Sequence, residues 1–169
     1  MDFETVIRKR SSTRVFSDKK LEREKLEKIL EAGRVAPTAM NKQDFKVLVV
    51  ESDEAIAKLD EVHACRYGAP TSLIVCADNA VGFSSDGKHA SGVIDASIVA
   101  THMMLEATNL GVDNIWTWAW GNAEMVEIFE LPENLEPVCV LPLGYRATDD
   151  HGSAHHGERK ELAELVEYL

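Results

Sequence analysis

Residues 92–110 read GVIDASIVATHMMLEATNL, and apolar residues recur on nearly every face of the helix this stretch would form. Such a helix has to be covered on all sides, so it stands at the centre of the molecule. Asp95, His102 and Glu106 interrupt the run, which excludes a membrane span. Gly111 is placed to end the helix as a C′ residue. Outward from it, Leu73 to Ala77 reads as a buried strand and Phe45 to Val50 as another. Two more strands are expected near Asn114–Trp118 and Val138–Leu143, separated by a helix containing Met125, Val126 and Phe129. Earlier helices are expected over residues 2–9 and around Leu26, Ile29 and Leu30, the latter ending near Gly33 and before Pro37. Ser52 is a plausible N-cap for the helix with Ile56 and Leu59, and Leu162, Leu165 and Val166 mark a last one. The first two helices are consecutive, while helices and strands alternate afterwards. That order predicts an α+β sandwich, a sheet between helices, over residues 1–169 as one domain.

The chain carries 29 acidic and 18 basic residues, a formal net charge of −11, which speaks against a nucleic-acid partner. The opening Met1-Asp2-Phe3-Glu4 lacks the basic-then-apolar order of a signal peptide. Three cysteines without C-x-x-C spacing point to reduced thiols and a cytoplasmic location, with no membrane partner. No Gly-x-Gly-x-x-Gly occurs, so a Rossmann nicotinamide site is not supported.

Two guanidinium groups flank three hydroxyls in Arg10-Ser11-Ser12-Thr13-Arg14. Forked, charge-assisted donors suit a dianionic phosphate monoester, although a solvated loop after a helix has the same composition. In Ala36-Pro37-Thr38-Ala39-Met40-Asn41-Lys42-Gln43, Pro37 stops a helix and small residues let a ligand approach the backbone. Asn41 and Gln43 offer donors and acceptors there, and an ordinary helix-to-strand loop is the other reading. Gly157-Glu158-Arg159-Lys160 is expected to open the last helix, where Arg159 or Lys160 and the helix N-terminus would favour an anion, a solvated charged first turn being the other reading. His151, His155 and His156 lack matching Cys or carboxylate spacing, so no metal site is expected. Segment 78–91 reads as a loop or lid.

Taken together, Arg10-x-Ser12-x-Arg14-x-Phe16 and Ala36-Pro37-Thr38-x-x-Asn41-x-Gln43 before a strand resemble the N-terminal signature of the nitroreductase family. Its common form is R-R-S-x-R-x-F followed by A-P-S-x-x-N-x-Q-P-W. Leu110-Gly111, Trp116, Leu131-Pro132, Pro142-Leu143-Gly144-Tyr145 and Arg159 follow in that family's order, so the resemblance spans almost the whole chain. It implies a three-layer α/β/α sandwich with a mainly antiparallel sheet, and an intertwined homodimer with flavin mononucleotide (FMN) at the interface. By the same resemblance Arg10, Ser11, Ser12, Arg14 and Arg159 would hold the phosphate and polar side of FMN. Pro37, Thr38 and Asn41 would approach it from the partner chain, and Trp118 would stand near flavin N5. Met40 and Trp120 would line the substrate pocket. The activity implied is hydride transfer from NADH or NADPH through flavin N5 to an oxidised acceptor such as a nitroaromatic or quinone. Chemistry then lies on the cofactor and no protein nucleophile is needed. Two departures stand out: Trp118 where the family frequently has Gly, and Arg146 where a Pro usually follows Gly-Tyr. The bulky Trp118 and Trp120 leave open an FMN-binding protein with little reductase activity, or a specialised oxidation using flavin and oxygen.

Overall fold

The chain's fold is given by a computed structural model that describes residues 1–84, 87, 90–118, 122–150 and 152–169. Its middle strand, β2 (Thr71–Asp78), is buried along almost its whole length. It pairs antiparallel with β1 (Phe45–Val50) on one side and β5 (Leu135–Gly144) on the other. Beyond β5 lie two short pieces, β3 (Asp113–Asn114) and β4 (Thr117–Trp118), both antiparallel to it. The single strand expected over Asn114–Trp118 is therefore broken at Ile115–Trp116, where only the Ile115 N–H reaches back, to the Pro142 carbonyl.

Period-two alternation along β2 sends its side chains into two different cores. Leu73, Val75 and Ala77 pack with Leu26 and Ile29 of α2 (Arg23–Arg34) and with Ala96, Val99, Ala100 and Met103 of α4 (Gly92–Asn109). Ile74 and Cys76 face the opposite way, onto Leu59 of α3 (Asp53–Val62) and Met125 of α5 (Asn122–Ile128). The result is the expected three-layer sandwich with an antiparallel sheet. A bulge interrupts the alternation: Val75 pairs with Cys139 but Cys76 with Pro137, so Val138 and Cys139 both turn toward the α2/α4 side. Burial pushes the Cys76 and Cys139 thiols up to about 12, which keeps them inert.

Local chemistry sets the helix ends. The Asp2 carboxylate accepts from Thr5 N–H and starts α1 (Phe3–Lys9), and the Ser52 hydroxyl accepts from Ala55 N–H and starts α3. At the end of α4, Gly111 N–H reaches the Thr108 carbonyl and Val112 N–H the Ala107 carbonyl, with Gly111 at φ 70°. That double closure is the Schellman arrangement, for which a residue without Cβ is suited.

Two expectations need correction. Within the chain α4 is covered on one side only. Ile94 is 66% exposed and, with Val93, Ser97, Ile98, Thr101 and His102, lines an open groove of about 400 Å³. Asp95 is buried, whereas His102 is exposed and bonds the Ile98 carbonyl. The last helix is only Leu162–Leu165 (α6), and its first turn is closed by a capping box of Glu161 and Glu164. Arg159 precedes that helix, and the carboxylates of Glu161 and Glu164 occupy the end where an anion was expected.

Candidate functional site

Residues 10–14 leave α1 and run beside the C-terminal end of α4. Ser12 bridges Asn114, Thr13 N–H donates to the Asn114 carbonyl at 3.1 Å, and Thr13 is wholly buried. The Met1 ammonium fastens the start of α1 to the Asn109 side chain at 2.8 Å. A small cavity lined by Lys9, Ser11, Thr108, Asp113 and Asn114 lies in the angle between loop and helix.

From this loop Arg10 points inward, half-buried, with Nη1 at 3.4 Å from Ser12 Oγ. Its pKa is lowered by burial first and then by the positive charge of Arg159. Arg159 arrives from the other end of the chain. Its Nη1 is held by the carbonyls of His156 and Glu158, and the cleft it shares with Ile7, Arg8, His156 and Gly157 measures about 390 Å³. Arg8, Arg34, Arg66 and Arg146 all sit beside carboxylates, whereas among the described residues neither Arg10 nor Arg159 has one within ion-pair distance. Among the described residues Arg10 and Arg159 are thus cations without a carboxylate partner in a chain of net charge −11, a charge pattern that suits an anion.

Arg14 turns away to the Tyr67 phenol. The Cys65 thiol hydrogen-bonded to that phenol and then burial push Tyr67 above its ordinary range, and Arg14 pulls it back. Ser11 is engaged differently from Ser12: its hydroxyl accepts from Arg146 at 2.8 Å. Sequence reasoning offered no role for Arg146, which the structure places beside Ser11, Thr13, Asp113 and Asp150.

The second group of expected residues forms a separate loop at the other end of α4. Met40, Asn41 and Gln43 have φ near +50°, an unfavourable left-handed backbone that costs each on the order of 1–2 kcal/mol. What holds them is the Thr38 hydroxyl, accepting from Gln43 N–H at 2.9 Å, and Asp95 of α4, accepting from Ala39 N–H at 3.0 Å. Met40 is left 76% exposed at the tip. Trp118 is 60% exposed and, with Val93, Ser97 and Trp116, lines a small pocket near the same end of α4. Trp116 packs against the core instead. Trp120 and His151 lie outside the described residues.

Beneath the 38–43 loop sits a carboxyl pair that the sequence reading passed over. Asp44 is wholly buried; Oδ2 accepts from the Ser91 hydroxyl at 2.7 Å and Oδ1 has no donor among the described residues. Burial, and then the Asp95 carboxyl hydrogen-bonded beside it, hold Asp44 above the ordinary carboxylate range, against the pull of Ser91. Two carboxyl groups can bond only while one keeps its proton. A group whose pKa rises on folding stabilises most below its unfolded value, about 3.9, and that contribution is lost as pH rises through the folded value. Asp44→Asn supplies a permanent donor in place of the proton. Its melting temperature relative to the wild type should therefore climb as pH is raised from 4 to 8 in thermal denaturation; a difference independent of pH would contradict the shared proton.

The second unnoticed group is His63, buried with Nε2 at 2.9 Å from Thr117 Oγ1. Since Thr117 donates its own proton to the Val140 carbonyl, Nε2 carries the ring proton, and burial lowers the His63 pKa. That bond anchors β4, and with it Trp118. A lone His before a 3₁₀ turn gives no periodic signal, which is why sequence reading missed it.

Comparison with known proteins bears on the fold and the family. The family model described as "Nitroreductase family" matches residues 7–68 and 63–145. The structure is similar to that of a nitroreductase family protein from Clostridium difficile, with a TM-score of 0.92 and 38% identity over 99% of this chain and 98% of that one. An NADH dehydrogenase/NAD(P)H nitroreductase of Methanothermobacter thermautotrophicus is 33% identical over 156 residues, 87% of this chain and 78% of its own length. An FMN reductase [NAD(P)H] of Bacillus subtilis is 28% identical over 155 residues, 80% of this chain and 62% of that protein. With the sandwich, the basic loop and the Pro37–Gln43 loop in the same order, the chain belongs to the nitroreductase family.

Proposed function

We propose that the chain is an FMN-dependent NAD(P)H oxidoreductase that works as a homodimer, with residues 1–169 acting as one cofactor-binding unit. The observation that carries this reading is that Arg10, beside the Ser12 hydroxyl, feels the charge of Arg159, while among the described residues neither guanidinium has a carboxylate within ion-pair distance. A terminal phosphate monoester fits that set of donors. The relatives named for FMN reduction and NAD(P)H nitroreduction support FMN as the phosphate's owner and NADH or NADPH as reductant.

In this reading Arg10, Ser12 and Arg159 hold the phosphate, with Ser11 at its margin, and Arg14 lies toward the polar edge of the ring system. Pro37, Thr38 and Asn41 cannot join them within one chain. Asp95 and Asn109 mark the two ends of α4 at which the loops are fastened, and at about 1.5 Å per residue those ends are roughly 20 Å apart. A second copy packed antiparallel along the open face of α4 brings the 38–43 loop of one protomer to the basic loop of its partner. Exposed Val93 and Ile94 on that face, and exposed Leu162, Leu165 and Tyr168 near the C-terminus, supply apolar surface for such a contact.

When bound, FMN supplies the hydride-transfer chemistry between NAD(P)H and an oxidised acceptor such as a nitroaromatic or quinone. The protein would orient the two in turn: Met40 and Trp118 would line the substrate side of the cofactor, and Arg14 would provide positive charge at its polar edge. The three unpaired cysteines suit a reducing compartment, and we place the enzyme in the cytoplasm. Purified protein is expected to be yellow, to release FMN on boiling, and to bleach when NADH or NADPH is added anaerobically. A colourless protein that takes up no FMN would overturn the cofactor assignment, and a flavin that stays oxidised would leave a binding protein instead of a reductase.

A further inference from the structure

We propose that Arg146 is a positioning residue for the phosphate site: it latches the Ser11–Thr13 loop to Asp150 and so sets Arg10 opposite Arg159. This inference rests on the reading that the Arg10–Arg159 pocket takes the phosphate of FMN.

The guanidinium of Arg146 sits where three parts of the chain meet. Nη2 donates to Ser11 Oγ at 2.8 Å and to Thr13 Oγ1 at 3.0 Å. Nε lies 3.2 Å from Asp150 Oδ2 and 3.6 Å from Asp113 Oδ1, and the Arg146 backbone N–H donates to Asp113 Oδ2 at 2.9 Å. Asp150 in turn accepts from Gly152 N–H, and Gly152, at φ 70°, turns so tightly over the guanidinium that a Cβ there would come within 3.2 Å of Nη1. The Asp150 side chain is almost fully buried, so its charge is answered by Arg146.

The backbone beneath the latch is already paired. Phe16 bridges Arg146, Ser17 N–H donates to the Tyr145 carbonyl at 2.8 Å, and Ala147 N–H donates to the Val15 carbonyl at 3.0 Å. The Arg146 side chain extends this zipper toward Ser11 and carries it across to Asp150 and Gly152, the latter seven positions before Arg159. Only a forked, planar group can meet two hydroxyls on one side and a carboxylate on the other, which a single ammonium cannot do. Two carboxylates face Arg146, so it offers a phosphate no net positive charge. Arg10 and Arg159, with none, do the binding, and Arg146 acts through them.

The test compares FMN with riboflavin, which has the same ring and ribityl chain without the phosphate. Dissociation constants for both are measured by flavin fluorescence for the wild type, Arg146→Ala, Arg146→Lys and the pair Arg10→Ala and Arg159→Ala. Arg146→Ala is expected to weaken FMN on the order of tenfold to a hundredfold and riboflavin hardly at all, so that the preference for FMN collapses. Arg146→Lys should restore only part of it. Should Arg146→Ala fail to fold, the combination Ser11→Ala and Thr13→Val removes the two acceptors while leaving the ion pair with Asp150, and the same loss of preference is expected. Equal weakening of both flavins, or a preserved preference in folded protein, would overturn the latch. If the preference survives Arg10→Ala and Arg159→Ala, the phosphate reading itself is at fault; if it is lost there but kept in the Arg146 variants, only the latch is.

Discussion

Replacing both Arg10 and Arg159 with alanine is expected to raise the dissociation constant for FMN by about a hundredfold to ten-thousandfold. Each guanidinium–phosphate contact is charge-assisted and contributes roughly 1.5–3 kcal/mol, and every 1.4 kcal/mol is about tenfold in affinity. The acidic background enlarges the effect: with 29 acidic residues against 18 basic, a dianion has few other cations to turn to. Without cofactor the substitutions should do little harm, because burial and the neighbouring Arg159 already disfavour the charge on Arg10. Apo variant and apo wild type should then melt at similar temperatures, and only the wild type should gain from added FMN, as binding to the folded state alone requires. Equilibrium dialysis or fluorescence titration reads the affinity, and differential scanning fluorimetry reads the shift. Full retention of FMN through purification of the double variant would remove the phosphate from this pocket.

What could be read from the sequence divides by the range of the interactions involved. Strand Phe45–Val50 and the Ser52 cap are local, dictated by β-branched residues and one hydroxyl, and the structure has both where the pattern placed them. The all-round apolar stretch at 92–110 located the central helix, but apolarity alone does not say which molecule covers each face. Asp95 is the one acid in the first turns of that helix, a visible signal; its partner Asp44 stands just before a strand, and only folding brings the two together. Arg10, Ser12 and Arg159 were legible as chemistry, and their joint role came only from the family resemblance; the contacts that fix the loop, among them Arg146 with Ser11 and Thr13, span more than a hundred residues of sequence and leave no local signal. The positive φ at Met40, Asn41 and Gln43 was also hidden, because nothing in those residue types demands a left-handed backbone. It is imposed by Thr38 and Asp95, a strain of the kind that marks ligand loops.

The second large effect is expected from Ile94→Glu. Ile94 is 66% exposed in the single chain, so the substitution leaves the core of α4 intact and circular dichroism should be unchanged. In a twofold pair built on this face, each Ile94 is buried, and the dimer loses both copies. Burial of such a side chain is worth roughly 1.5–3 kcal/mol per copy, and a carboxylate trapped in its place costs several more unless paired. Together these exceed about 6 kcal/mol, which weakens dimerisation by more than about ten-thousandfold. Sedimentation velocity is expected to find a folded monomer, and the same sample should carry little FMN, because the 38–43 loop of the partner would no longer reach the basic loop. The two readouts separate the parts of the reading. A variant that remains dimeric with FMN bound would place the interface elsewhere than on the open face of α4, and a monomer that still binds FMN tightly would mean that one chain completes the site, so that Thr38 and Asn41 have no part in it across an interface.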